Sequence, residues 1–460
     1  MRRTSVVGET LLLAVVSASL AVATADAAEP TGTTWVVDRD RAQCANADFT
    51  SIQAAVDAAQ SGDLIRVCPD RYGESAVVDK PLTLKGDPDA IETIDCFQST
   101  PARPGDLDPT RQAIVDPTGE GFSIALSLRA DDVAVEGLVV EGAAVGIDAS
   151  DRFSGYRIHH NLIRLNTLFG IDFGSEGTRE SRVDHNCLRD NGWGVASELD
   201  DDSLWKPSDG PERDDWNARQ LVNARIDHNA TSEHTSFNGG ALQITGPGRR
   251  VDVMIDRNVS REDLGGILLQ NSTDSAILDN DVVDGNGNGI VIGGGTERLV
   301  IADNRVRNGG SSGIVFVETF FDRFPIPNRD VIVTRNVVTG TAAVGVTTRP
   351  NNLAESLITE NTTRDNGAQG IFLHSGSTGN VVRANQAHNN GISGITAFLG
   401  ATGNRFEHNS MHGNGWLTST QAPRADARDG VPLPNGLLQN VWIGNDCGTD
   451  IPAGTICGVG

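Results

Sequence analysis

An apolar residue, two variable residues and an asparagine recur along this chain at intervals of roughly two dozen residues. In Ile358-Thr-Glu-Asn361 the asparagine is followed, nine residues later, by Gly370-Ile371. The unit returns as Val382-Arg-Ala-Asn385 with Gly394-Ile395, and again as Phe406-Glu-His-Asn409. The marked asparagine stands at Asn161, Asn186, Asn229, Asn258, Asn280, Asn304, Asn336, Asn361, Asn385 and Asn409, and again at Asn445. Glycine holds its place at Gly170, Gly289, Gly313, Gly345, Gly370 and Gly394, and comes one residue early at Gly194 and Gly266. An earlier turn fits with Gly137 in the asparagine position and Gly146-Ile147 nine later. A fixed period of this length means stacked copies of one small unit.

The units hold short β-branched alternations, such as Gly289-Ile-Val-Ile292, and no run of helix formers. Such a unit is too long for a hairpin and too short for a strand–helix–strand unit. Three short strands joined by bends fill it. Stacking pairs each strand with its copy on the next turn, in parallel, at ~4.8 Å. The expected fold is all-β, a single-stranded parallel β-helix. Ile158, Ile226 and Ile301 then stack inside the lumen. Asparagine tolerates left-handed backbone at a bend. Its amide can also donate to the side chain of the asparagine one turn away, which satisfies buried polar groups at each corner. An ionised aspartate could not donate. The asparagine column therefore reads as structural.

This repeat resembles the right-handed parallel β-helix repeats of the pectin-lyase-like superfamily, including NosD-type periplasmic proteins. The resemblance spans about residues 45–447. It implies a fold; that superfold hosts lyases, hydrolases, esterases, epimerases and non-enzymes, so function must be argued from a site.

Residues 1–28 read as an export signal: Arg2 and Arg3, an apolar run from Leu11 to Ala23, then Ala25-Asp-Ala27-Ala28 for cleavage. That run is too short to span a membrane, and no later stretch qualifies. A secreted, extracellular protein is expected. Residues 29–112 make an N-terminal cap and first rungs, 113–417 the repeats, and 418–460 a polar loop, last rung and cap. The cap carries one short helix near residues 50–60, with Ser51 or Thr50 as its cap and Ile52, Ala55, Val56 and Ala59 on one face. The run from Phe49 through Pro69, Tyr72 and Glu74 to Leu84 resembles the N-terminal cap of pectinesterase-like and NosD-like β-helices. It would cover the open end of the lumen, which otherwise exposes a strand edge. Six cysteines without a Cys-x-x-Cys favour disulfides in an exported chain. Proximity suggests Cys44–Cys68 and Cys447–Cys457, which leaves Cys96 and Cys187.

The net charge is −24, from 37 Lys and Arg against 61 Asp and Glu. A chain this acidic is a poor non-specific partner for nucleic acid or anionic membrane. It also repels polyanionic glycans unless arginine or a divalent cation lines the site. A glycan or polysaccharide partner and a monomeric chain are expected.

In the resembling enzymes the outward face of the glycine-bearing strand forms the substrate groove. Two residues after the glycine the column reads Asp172, Ala196, Leu268, Val291, Val315, Thr347, Phe372 and Thr396. The next outward position includes Glu198, Arg349 and His374. Asp172 and Glu198 are carboxylates on neighbouring rungs. Their repulsion can split acid from base, or they could hold Ca²⁺, the one cofactor candidate. The longest insertion leaves the Glu198 strand and carries Trp205, Lys206, Trp216 and Arg219. Aromatics on loops beside a rigid face suit sugar stacking. The candidate catalytic set is Asp172, Glu198 and Lys206. The candidate substrate-binding set is Trp205, Trp216, Arg219, Arg349 and His374. A solvated acidic flap is the plainer reading of the insertion. Polygalacturonase-like Asn-Thr-Asp and Gly-His-Gly motifs are absent. Phe169-Gly-Ile-Asp172 resembles the Tyr-Gly-Phe-Asp-Pro-His-Asp motif of mannuronan epimerases, with Phe169 in place of the tyrosine and Phe173-Gly-Ser175 in place of Pro-His-Asp.

His160, His185 and His228 each precede a ladder asparagine, and stacked imidazoles ~4.8 Å apart could share a metal. Polar filler is the favoured reading of that column, with no metal assigned. Two functions from different classes follow. One is a secreted polysaccharide lyase, epimerase or glycoside hydrolase acting near Asp172 and Glu198. The other is a non-catalytic β-helix that binds glycan or metal, or serves as a scaffold.

Overall fold

The computed structural model describes residues 32–458, except 99, 119–122, 150–152, 198–219, 235–239, 246–249, 319–325, 418–423 and 431–438. The expected signal segment lies outside these residues. Three long sheets run the length of the chain, with 16, 14 and 14 strands, and a short pair completes the set among the described residues. The near-equal counts mean that each turn gives one strand to each sheet. Every pairing in the three sheets is parallel, as in Arg157–His159 against Ser181–Asp184. The expected parallel β-helix is what forms.

We name the sheets by chain order within a turn. The first holds the strand before the ladder asparagine, such as Arg157–His159; the second the strand after it, such as Leu162–Arg164; the third the glycine-bearing strand, such as Phe169–Phe173. Ile158, Val183, Ile226, Ile255, Ile277, Ile301, Val333, Ile358 and Val382 stack down the lumen, each with no exposed surface. The stack ends in Phe406 and Trp442, whose rings lie parallel at 4.0 Å.

Side-chain amides tie the turns together. Asn361 Nδ2 donates to Asn385 Oδ1 at 3.0 Å, to Val333 O at 2.9 Å and to Thr359 O at 3.0 Å. The same link runs unbroken from Asn161 to Asn445. Asparagine is not the bend residue, however. The residue before it is left-handed: His160, His185, Asp279 and Glu360 have φ between 53° and 58°. Asparagine supplies the hydrogen bonds and its predecessor supplies the turn. Gly137, with φ 69°, accordingly falls opposite His160, and Leu138 takes the asparagine position. Its amide donates to Asn161 Oδ1 at 3.0 Å.

Two further ladders occupy the other corners. One links Asn366, Asn390 and Asn414, and the other Asn380, Asn404 and Asn440. They end on Asp426 and Asp429 respectively, at 2.9 and 2.8 Å. Each chain of donors points toward the C-terminus, so its last member need only accept, and aspartate suits that place. In mid-chain His234 and Asp263 stand in for asparagine at the second corner, Nδ1 to Oδ1 2.7 Å apart.

Helix α1, Ile52–Ala58, forms where expected, with Ser51 Oγ accepting from Ala54 N and Ile52, Ala55 and Val56 buried. Glu74 accepts from Ser51 Oγ and Ile52 N, fixing the helix against the first rung. A second short helix, α2 at Pro88–Glu92, adds to the one that the sequence pattern predicts. Asp87 caps it and Pro88 fits its first turn, whose amides need no helical partner. All six cysteines pair: Cys44–Cys68, Cys447–Cys457 and Cys96–Cys187. The last bond holds Cys96, with Ile94 and Leu107, against the outer face of the second sheet.

Candidate functional site

The glycine-bearing strands place side chains by simple alternation. Ile171 and Phe173 point into the lumen and Asp172 points out. The glycine is required because the second-corner ladder crowds it. A Cβ on Gly170 would lie 2.7 Å from Gly194 O and 3.1 Å from Asn191 Nδ2.

Outward from the third sheet the in-register column begins Val77, Ser127, Asp148, Asp172, Ala196, Gln243. The carboxylate directly beside Asp172 is therefore Asp148, one rung toward the N-terminus. On the other side stands Ala196. Asp148 and Asp172 are only 4% and 7% exposed, although both point away from the lumen. Arg129, two residues beyond Ser127, reaches Asp148: its Nη2 donates to Asp148 Oδ2 at 2.5 Å. Neither Asp148 nor Arg129 is among the site residues expected from the sequence.

The other expected site residues divide into two groups. Glu198, Trp205, Lys206, Trp216 and Arg219 lie outside the described residues. Arg349 and His374 are described, but the structure does not bring them to Asp172. Phe372 lies seven rungs up the column from Asp172, about 34 Å at one strand spacing per rung. There the His374 ring packs against Phe372 at 5.5 Å and Phe398 at 5.0 Å. Burial, then the Arg349 charge, lowers the His374 pKa. This is a separate aromatic patch.

The histidine column is well ordered. His160, His185 and His228 stack at 5.0 and 4.7 Å with rings nearly parallel. Each occupies the left-handed corner, a conformation in which histidine is enriched. Asp184 Oδ2 lies 2.8 Å from His185 Nδ1, and Asp227 Oδ2 lies 2.7 Å from His228 Nδ1. Arg257 continues the column, Nη1 3.2 Å from His228 Nε2.

The hydrogen bond to Asp184 raises the His185 pKa against the opposing effect of burial. A raised folded-state pKa gives stability that is full below the ordinary value of about 6.5 and lost as pH rises through the folded value. The stability difference between wild type and His185→Asn should therefore shrink as pH rises from about 6 to about 8. Denaturant melts at the two pH values measure it; an equal or growing difference would contradict the pairing.

The sheets and corner ladders define a right-handed parallel β-helix repeat protein. A family model described as "Right handed beta helix region" matches residues 326–414, and one described as "Periplasmic copper-binding protein (NosD)" matches 216–320. Comparison with curated proteins finds no match. Among solved structures, the A-module of mannuronan C-5 epimerase AlgE6 from Azotobacter vinelandii is 14% identical. That match covers 86% of this chain and 88% of that one, with a TM-score of 0.45. The periplasmic alginate epimerase AlgG is 16% identical over 70% of this chain and 78% of its own, TM-score 0.37. A GH136 lacto-N-biosidase from Eubacterium ramulus is 11% identical over 91% and 67%, TM-score 0.41. No described helix is long and apolar enough to cross a membrane.

Proposed function

We propose that this chain is an exported carbohydrate-active β-helix protein that hydrolyses glycosidic bonds at the Asp148–Asp172 pair. The observation that carries the reading is the in-register placement of two shielded carboxyl groups, with Arg129 on one of them, on the outward face of the third sheet. Adjacent parallel strands stand ~4.8 Å apart, near the ~5–5.5 Å carboxyl separation of retaining glycosidases. Asp148, which accepts from Arg129, is assigned the attack on the anomeric carbon. Asp172, the other member of the pair, is assigned the proton that the leaving oxygen takes. Glu198 and Lys206, which follow the strand of the adjoining rung, belong to the same proposal as supports. A neutral glycan fits better than a polyuronate, because the chain is strongly acidic and Arg129 is already engaged.

The alternative, a NosD-like metal-binding protein, draws on the match over 216–320. That segment holds two histidines, His228 and His234. The first is a corner residue hydrogen-bonded to Asp227, and the second is buried in the corner ladder against Asp263. Both are accounted for by the fold, which favours the glycan reading.

The test is a screen of neutral and acidic polysaccharides for new reducing ends and for unsaturated products, with the anomer of the first product read by NMR. Reducing ends with retained configuration are expected, and Asp148→Asn and Asp172→Asn should each cut turnover by about 10³-fold. Neither side chain fills the lumen, but Asp148→Asn removes the ion pair to Arg129 and should melt below Asp172→Asn. Unsaturated products would mean elimination instead of hydrolysis. An unchanged rate in both variants would place the chemistry elsewhere.

A further inference from the structure

A cleft lies on a different face from the carboxylate pair. It opens between the arm pinned by Cys96–Cys187 and the outer face of the second sheet, and encloses about 220 Å³. We infer that this cleft is a binding pocket for one neutral sugar ring, separate from the carboxylate pair of the third sheet.

The walls are built before any ligand arrives. Ser232 Oγ donates to Cys96 O at 2.8 Å, and Arg189 Nη2 donates to Thr100 O at 2.8 Å. Arg189 is almost fully buried, so the arm is held by a covalent bond and by hydrogen bonds shielded from water. A wall fixed in advance lowers the ordering cost of binding. The volume is below the ~300–1,000 Å³ of pockets for drug-sized ligands, which suits a single ring.

The chemistry inside the cleft is unbalanced in an informative way. Three acidic residues line it, Glu233, Glu262 and Asp284, each on the left-handed corner of a successive rung. Two arginines also line it. Arg261 lies over the Phe97 ring at 4.3 Å, and Arg307 Nη2 donates to Asp281 at 2.7 and 2.9 Å. Asp284 accepts from Asn308 Nδ2 at 3.0 Å. Burial first, and then the Asp190 carboxylate, raise the Glu233 pKa. The cleft thus carries three acidic groups against two arginines, and Glu233 already accepts from Arg189 Nη2 at 3.2 Å. A ligand that fits must bring hydroxyl donors and an apolar edge, the latter for Phe97 and Val283. A neutral pyranoside has both. A uronate brings a carboxylate where the acidic residues already outnumber the arginines.

The experiment uses the Asp148→Asn/Asp172→Asn variant, so that binding is read without turnover. Neutral gluco-, manno-, galacto- and xylo-oligosaccharides are titrated by calorimetry and by saturation-transfer NMR, with uronate oligosaccharides as the counter-probe. Neutral sugars should bind. Adding Phe97→Ala, or separately Glu262→Gln with Asp284→Asn, should weaken them about tenfold or more, equivalent to about 1.4 kcal/mol. Phe97→Leu keeps the packing and should still lose most of the affinity if the Ala variant melts early. The pocket is overturned if no neutral sugar binds, if uronates bind better, or if neither pocket variant changes the affinity. Because catalysis is absent throughout, failure of the hydrolysis reading and failure of the pocket give different results.

Discussion

Asn361→Asp should destabilise this protein more than Asn361→Ala, although the first substitution changes one group for another of the same size. Asn361 is fully buried and mid-ladder. Its Oδ1 accepts from Asn336 Nδ2 and Asn336 N, and an aspartate could still do that. Its Nδ2 is the difficulty. That atom lies within 3.0 Å of three acceptors, Val333 O, Thr359 O and Asn385 Oδ1. A carboxylate oxygen there meets three like partial charges in a dry corner. Removing the side chain instead leaves unsatisfied carbonyls, at about 1–3 kcal/mol. Placing an unpaired charge costs about 3–5 kcal/mol. The acid form of the introduced carboxyl group can donate, so folding of that variant favours a raised pKa. Its defect should therefore be smallest in acid and grow as pH rises through that value. Denaturant melts of the three proteins at about pH 4 and about pH 7 measure both effects. A milder defect for the aspartate variant than for the alanine variant at neutral pH would refute the directional ladder.

Much of the fold was legible because a solenoid writes its geometry as a period. The lumen column and the three-strand turn came from spacing alone. The bend residue did not. A column that marks Asn361 marks Glu360 equally well, and only Gly137 and Gly444 at the preceding position show which residue must turn. The other two ladders were also in plain sight. Asn380, Asn385 and Asn390 stand five apart, as do Asn404, Asn409 and Asn414, one per corner. Three residues of strand and two of bend make five. Helix α2 was hidden because its Asp87-Pro88 start is a local signal inside a non-repeating segment.

The candidate site was half legible for a related reason. Gly170 sets the register of Asp172, and the same rule one turn earlier leads from Gly146 to Asp148. The rule looked forward to Glu198 and not back. Arg129 could not be found that way, since it follows a strand without the repeat glycine. The cleft was illegible for a deeper cause. Phe97 meets Arg261 from outside the repeats, and the Cys96–Cys187 bond beside it spans 91 residues. Periodicity describes contacts between neighbouring turns and says nothing of an arm laid across them.

The glycine column makes the final expectation local. Gly370 is not left-handed; it is glycine because of what surrounds it. A Cβ there would sit 2.6 Å from Gly394 O, 2.6 Å from Thr363 Oγ1 and 2.8 Å from Asn390 Nδ2. Two of these are fixed by the sheet and by the second-corner ladder, so Gly370→Ala must push rungs apart or break the Asn366–Asn390 link. Overpacking of this kind costs about 1–3 kcal/mol. Gly240 stands one residue before that column, whose place on its turn is held by Ala241, and its nearest neighbour to a Cβ is Gly265 O at 3.4 Å. Gly240→Ala should be close to neutral. In a solenoid each turn leans only on its neighbours, so the damage from Gly370→Ala should stay near its own rungs. Hydrogen exchange should speed at Ile371 and Ile395, whose strands pair in register, and stay unchanged at Ile65 in the cap. Equal stability of the two alanine variants, or protection lost evenly from cap to cap, would show that Gly370 is not set by the asparagine ladder beside it.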